Sequence, residues 1–187
     1  MKRFTIEDTV LGGLRLITRH AIADPRGWFE RLYCSEELAA ASGQPFFPVQ
    51  INRSCTQARG AVRGLHFQHP PYAEIKLVSC LQGEAFDVAV DLRTGSPTFL
   101  RWFGARLSAA NRVSLLIPKG FAHGVQVLAE PCELLYLHST PYAPDSEGGI
   151  HALDPRIGIS WPLPVAELSA RDAAHSALDA EFSGVRL

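Results

Sequence analysis

An all-β domain is the fold class this sequence predicts, on three observations. Alternating apolar and polar residues, with short β-branched or aromatic runs, dominate from about residue 47 to 138. Turn-forming residues interrupt these runs at regular intervals, and no helical stretch separates one run from the next. Strands that follow one another without helices between them cannot build a parallel α/β sheet, so a sandwich or barrel is expected.

The strands fall at 49–54, 61–68, 76–81, 85–92, 100–107, 112–117, 124–128 and 133–138. Gly60, Pro70-Pro71, Gly83, Gly95-Ser96-Pro97, Asn111, Pro118, Gly120 and Pro131 punctuate them. Two short helices are expected outside this region. Ser35 caps one over 36–42, with Glu36 and Glu37 set against the positive end of its dipole and Gly43 as its stop. Ser169-Ala170-Arg171-Asp172 has the spacing of a capping-box variant and opens another over 173–180. Trp161-Pro162-Leu163-Pro164 marks off a C-terminal tail, about 163–187, that is expected to close the site of a single 187-residue domain.

At 187 residues and 47% hydrophobic content the chain is long enough for one substantial core. A formal net charge of −1 with interspersed signs gives no field for nucleic acid or an anionic membrane, so an anionic ligand must be met by a local pocket. No apolar run is long enough to span a bilayer, and the N-terminus turns acidic before one develops, so a soluble, cytoplasmic protein is expected. Cys34, Cys55, Cys80 and Cys132 lie far apart, without a C-x-x-C pair, and read as reduced thiols.

Ionisable residues inside apolar strands carry the chemistry, because burying them is costly unless each has a partner or a task. Arg63-Gly64-Leu65-His66-Phe67-Gln68 sets a cation and an imidazole three residues apart. Lys76, Asp87 and His123 follow in strand-like runs. Pro118-x-Gly120-x-x-His123 matches the second half-motif of cupins, so the expected architecture is a double-stranded β-helix, a cupin-like jelly roll. Cupins often hold a metal through two histidines at i and i+2, which one strand face presents together. Here the nearest pair is His66 and His69, at i and i+3, so no metal is expected.

The run Asp24-Pro25-Arg26-Gly27-Trp28-Phe29-Glu30, then Val49 to Ser54, Arg63 to Gln68, Lys76-Leu77-Val78, Gly83 to Asp91, Ser96-Pro97-Thr98-Phe99, Ile117 to Gly124 and Leu168 to Asp172 resembles the dTDP-4-dehydrorhamnose 3,5-epimerases. The match keeps its order over nearly the whole chain. It implies a homodimeric, metal-free cupin-like fold that uses no cofactor and takes a nucleotide-linked 4-keto-6-deoxyhexose. In such a sugar the C3 and C5 protons are α to a carbonyl, so their removal leaves an enolate that needs a base, an oxyanion partner and a proton donor.

By resemblance His66 is the base, Asp172 orients it, Lys76 faces the C4 oxygen and Tyr136 returns the proton. Arg26, Glu30, Gln50, Asn52, Arg63, His123 and Tyr142 are implied substrate contacts, Arg26 and Glu30 reaching a neighbouring subunit's pocket, and Asp87 backs His123. The implied product of C3 and C5 inversion is dTDP-4-keto-L-rhamnose. A mono-epimerase of a related keto-sugar is the alternative within the class, and a non-catalytic cupin that binds a sugar nucleotide is the alternative outside it. Leu137, Ile75 and Ala152-Leu153-Asp154 depart from the family pattern. Taken singly, the same residues have plainer readings: Asp172 as a helix cap, Lys76 as the ion-pair partner of Glu74, Tyr136 as core filler, Arg26 and Glu30 as a surface pair.

Overall fold

The computed structural model describes residues 3–42 and 46–187. Its elements run β1 (Phe4–Asp8), β2 (Arg15–Arg19), β3 (Ile22–Asp24), β4 (Gly27–Phe29), α1 (Ser35–Ser42), β5 (Gln50–Thr56), β6 (Val62–Gln68), β7 (Lys76–Asp91), β8 (Trp102–Ser108), β9 (Val113–Ile117), β10 (Phe121–His138), β11 (Glu147–Gly149) and α2 (Ala170–Ala173). The β class and the cupin-like architecture hold.

The long strands β7 and β10 pair antiparallel and organise everything else. Gly83 and Pro131, expected to end strands, instead sit inside them. The ladder shifts register between Ala129 and Glu133, opposite Glu84 and Gln82, so both strands bend there without losing their pairing. The bend divides the sheet into two wings. In one, the order is β1, β2, β9, the first part of β7, the last part of β10, then β5. In the other it is β8, the last part of β7, the first part of β10, β6 and β11.

Strand alternation then decides which side chains share the interior. Val78, Cys80, Ala85, Ala89, Phe121, Val125, Val127 and Leu134 form a common core, so Lys76, Asp87, His123 and Tyr136, at even spacings from them, point inward as well. The outer face of the first wing, with Leu77, Leu116 and Leu137, is covered by Leu38 of α1 and by Phe46. That of the second, with Leu65, Val88 and Val90, is covered by the segments carrying Ile150, Ile157 and Val185.

β1 to β4 and β11 were not expected from the sequence; they are three to five residues long and alternate poorly in polarity. The helix expected at 36–42 begins one residue earlier, and its Gly43 stop lies outside the described residues. The second helix is a correction. It is the single turn Ala170–Ala173, N-capped by Ser169, and 173–180 does not continue it. The reason is competition for its backbone: His151 N–H donates to the Ser176 carbonyl at 3.3 Å, and Leu178 N–H donates to Asp154 Oδ2 at 2.5 Å. No helix among the described residues is long and apolar enough to cross a membrane. All four cysteines are free thiols.

Candidate active site

The two wings face each other across a cavity of about 660 Å³. Gln50, Asn52, Lys76 and Tyr136 reach it from one wing, Arg63, His66 and His123 from the other, and Tyr142, Ser169, Arg171 and Asp172 from the segments that follow. Ten of the twelve expected site residues are therefore together, counting Asp87, which touches His123 from behind.

Arg63 and His66 share the cavity because β6 is irregular. In a regular strand residues three apart face opposite ways. Here His123 pairs with His66 but Val125 pairs with Arg63, so two residues of β6, Gly64 and Leu65, stand against the single Gly124. The extra residue resets the alternation. Gly64 has φ +119°, and a Cβ on it would lie 2.6 Å from the Gly124 Cα, so no other residue fits without moving β10.

His66 Nε2 lies 2.7 Å from Asp172 Oδ1, across 106 residues of sequence. Asp172 is 2% exposed, and its Oδ2 accepts the Gly64 N–H at 3.2 Å. Ser169 Oγ accepts the Asp172 N–H at 3.0 Å, so Ser169 is the cap while the Asp172 carboxylate turns away from the helix and onto β6. The tail is held in place for this by Gln126, which bonds both the N–H and the carbonyl of Leu163.

Burial tends to raise the Asp172 pKa, but the hydrogen bonds from His66 and the Gly64 N–H outweigh it and hold the carboxyl below its ordinary value. Burial lowers the His66 pKa below 6.5 despite the opposing pull of Asp172, with Arg171 and Lys76 lowering it further. At neutral pH the pair is therefore a carboxylate and a neutral imidazole. With the carboxylate accepting at Nε2, the lone pair is left on Nδ1.

Lys76 is buried, with Nζ 3.0 Å from Glu74 Oε1, so the plainer reading of this lysine is also part of the site. Glu74 Oε2 accepts in turn from His138 Nδ1 at 2.7 Å. The Tyr136 ring stacks on His138 and meets His123 edge-on, their centroids 6.2 and 6.1 Å apart. Desolvation pushes the Tyr136 phenol up to about 12, which keeps it protonated. His123 Nε2 lies 3.0 Å from both oxygens of the fully buried Asp87.

Arg26 and Glu30 do not enter this cavity, nor do they pair with each other. Arg26 is exposed and bonds Asp24 at 2.7 Å. The Glu30 side chain is 8% exposed and lies between Arg19 and Arg112, at 3.2 and 3.5 Å. Tyr142 donates its hydroxyl to Glu147 at 3.0 Å, and its N–H goes to Gln50 Oε1.

Glu74 was expected only as an ion-pair partner of Lys76, and His138, Arg171, His175 and Glu147 not at all. Two had a readable signal: Glu74 precedes Lys76 by two residues and His138 follows Tyr136 by two, the spacing that shares a strand face. His175 brings a second imidazole to the dyad, at 5.8 Å between ring centroids, where spacing along β6 offered none.

Residues 8–180 match a family model described as dTDP-4-dehydrorhamnose 3,5-epimerase. A dTDP-4-dehydrorhamnose 3,5-epimerase from Salmonella typhimurium is 44% identical over 172 residues, 91% of this chain and 93% of that protein. A dTDP-4-dehydrorhamnose 3-epimerase from Streptomyces niveus is 42% identical, covering 86% of this chain and 77% of that one. The solved structure of a dTDP-6-deoxy-D-glucose-3,5-epimerase from Legionella pneumophila, in complex with dTDP-4-keto-L-rhamnose, superposes with a TM-score of 0.90. That chain is 41% identical, over 97% of this chain and 98% of its own.

Proposed function

Because the chain belongs to the dTDP-4-dehydrorhamnose 3,5-epimerase family, we propose that its cleft epimerises dTDP-4-keto-6-deoxy-D-glucose at C3 and C5, giving dTDP-4-keto-L-rhamnose. The single observation that carries the mechanism is the His66–Asp172 contact of 2.7 Å in a cavity that Lys76 and Tyr136 also line.

His66 takes a proton α to the C4 ketone through Nδ1, while Asp172 holds the ring and supports the imidazolium. The electron pair moves to the C4 oxygen, where the buried Lys76 ammonium meets the new charge. Tyr136 delivers a proton to the other face of the carbon, inverting the centre. This leaves an imidazolium and a tyrosinate, and exchange with water resets both. Glu74 and His138 fix the lysine so that it does not reorganise as charge develops. Arg63, Gln50, Asn52, His123 and Tyr142 bind the remainder of the substrate, the guanidinium suiting a diphosphate because its planar fork engages two oxygens. The chemistry calls for neither a metal nor a nicotinamide, since nothing is oxidised overall.

Proton NMR of the keto-sugar with enzyme in D2O tests this. Both the C3 and C5 proton signals are expected to disappear with inversion, at the same rate after EDTA treatment. No exchange at either carbon overturns the reading, and a rate that tracks bound metal overturns the metal-free mechanism. Exchange with inversion at C3 alone would instead favour mono-epimerisation, a reading supported by the similarity to the 3-epimerase of Streptomyces niveus.

The chain is further proposed to act in the cytoplasm, as one domain whose tail from about residue 163 closes the site, and as a homodimer. Trp28 and Phe29 on β4 are each 63% exposed, and Val49 and Ile51, at the edge strand β5, are each 61% exposed. Pairing through these surfaces would carry Arg26 toward a second cavity. Light scattering is expected to give twice the chain mass, and a monomer at assay concentration would remove Arg26 from the site.

A further inference from the structure

We infer that His66 Nε2, Asp172 Oδ1 and His175 Nε2 form a site for a divalent transition metal, one that takes no part in turnover and whose occupation by Zn²⁺ stops it. The three ligand atoms lie within 4.8 Å of one another. His175 Nε2 is buried without a hydrogen-bond partner and stands 3.9 Å from Asp172 Oδ1. It is too far to donate to that oxygen, yet it is aimed into the cluster. The position is held by packing, since a Cβ on Gly149 would overlap the His175 ring. Two imidazoles and one carboxylate form a common donor set for zinc; tetrahedral bonds of about 2 Å set ligand atoms about 3.3 Å apart, so the widest separation must close by at most about 1.5 Å and the 2.7 Å His66–Asp172 contact must open by about 0.6 Å.

One charge opposes the ion. Arg171 Nη2 is 3.1 Å from His66 Nε2, and its Nε is 3.6 Å from Asp172 Oδ1. That side chain is 53% exposed and already bonds Glu147 through Nη1, so it can turn toward Glu147 and vacate the space.

Inhibition follows from which nitrogen the metal takes. In the free protein the His66 proton sits on Nε2, facing Asp172, and Nδ1 is the basic lone pair. Coordination at Nε2 requires the proton to move to Nδ1. No proton is released and no bond in the protein is broken, but the only lone pair available to the substrate is gone.

Metal binding can be tested independently of the epimerase reading, whereas the inhibition rests on it. EDTA-treated protein is titrated with Zn²⁺ by calorimetry and with Co²⁺ by visible absorption, for wild type, His175→Ala and His175→Gln. One metal per chain is expected in wild type, with affinity lower by about tenfold or more in both variants. Metal-free turnover of the variants is expected to stay near wild type, while the zinc concentration that halves it rises in parallel. Equal affinities in all three proteins, a Co²⁺–thiolate band pointing to Cys55, or loss of metal-free turnover in folded variants would each overturn the site. If wild type turns over no keto-sugar, the reaction fails and the calorimetry still decides the metal.

Discussion

Folded His66→Ala protein is expected to lose deuterium uptake at both C3 and C5 by a factor of about 10³ or more, the upper range for a positioned general base. Binding of dTDP should change little, because the imidazole acts on the sugar ring and Arg63 remains. The pH dependence supplies a second reading of the same atom. Activity falls as His66 becomes protonated, and because burial depresses its pKa below 6.5 the acid limb of kcat/KM should lie below that value. Near-normal exchange in the alanine protein would end the proposed mechanism.

Asp172→Asn is expected to lower kcat by about 10² to 10⁴, the scale seen when an orienting acid is replaced by its amide. The amide cannot support an imidazolium and can favour the wrong tautomer. Asp172 also raises the His66 pKa, so its loss should move the acid limb further down, a shift that a purely structural role would not produce.

Stability is expected to change by at most about 1 kcal/mol, since an amide still accepts one of the two hydrogen bonds. The sign with pH is fixed. The folded pKa of Asp172 is depressed, so its contribution is present above the ordinary 3.8 and is lost as pH falls through the folded value. Urea midpoints of wild type and variant should therefore converge in acid. A variant that unfolds readily yet turns over normally per folded molecule would make Asp172 a structural residue.

Alternation and short apolar runs made much of the barrel legible, although β7, β9 and β10 are buried on both faces over much of their length and β5 on neither. Alternation also placed Lys76, Asp87, His123 and Tyr136 inward on sound grounds, since each sits at an even spacing from a core residue. What alternation cannot express is a break in its own period. Gly83 and Pro131 read as ends of strands when they are bends within them, and the Gly64-Leu65 irregularity turns an apparently mismatched Arg63 and His66 into neighbours. Contacts between distant segments were equally illegible. Nothing near Asp172 announces His66, and only the family resemblance joined them; nothing near His175 announces either. The ion pairs of Glu30 were illegible for the same reason, since Arg19 ends β2 and Arg112 lies just before β9, on either side of it in sequence.

The tail that delivers Asp172 gives the protein two thresholds of failure. β6, β7 and β10 hold His66, Lys76 and Tyr136 within a deep sheet, whereas the acid arrives on one helical turn of four residues. Such peripheral segments open at lower free energy than the sheet they cover. On warming, epimerisation should therefore fade before the far-ultraviolet signal of the sheet, and it should return on cooling as long as the sheet has stayed folded. Coincident loss of activity and sheet signal would mean that tail and barrel melt as one. If the two separate, a fully folded barrel with its substrate pocket intact can be chemically silent.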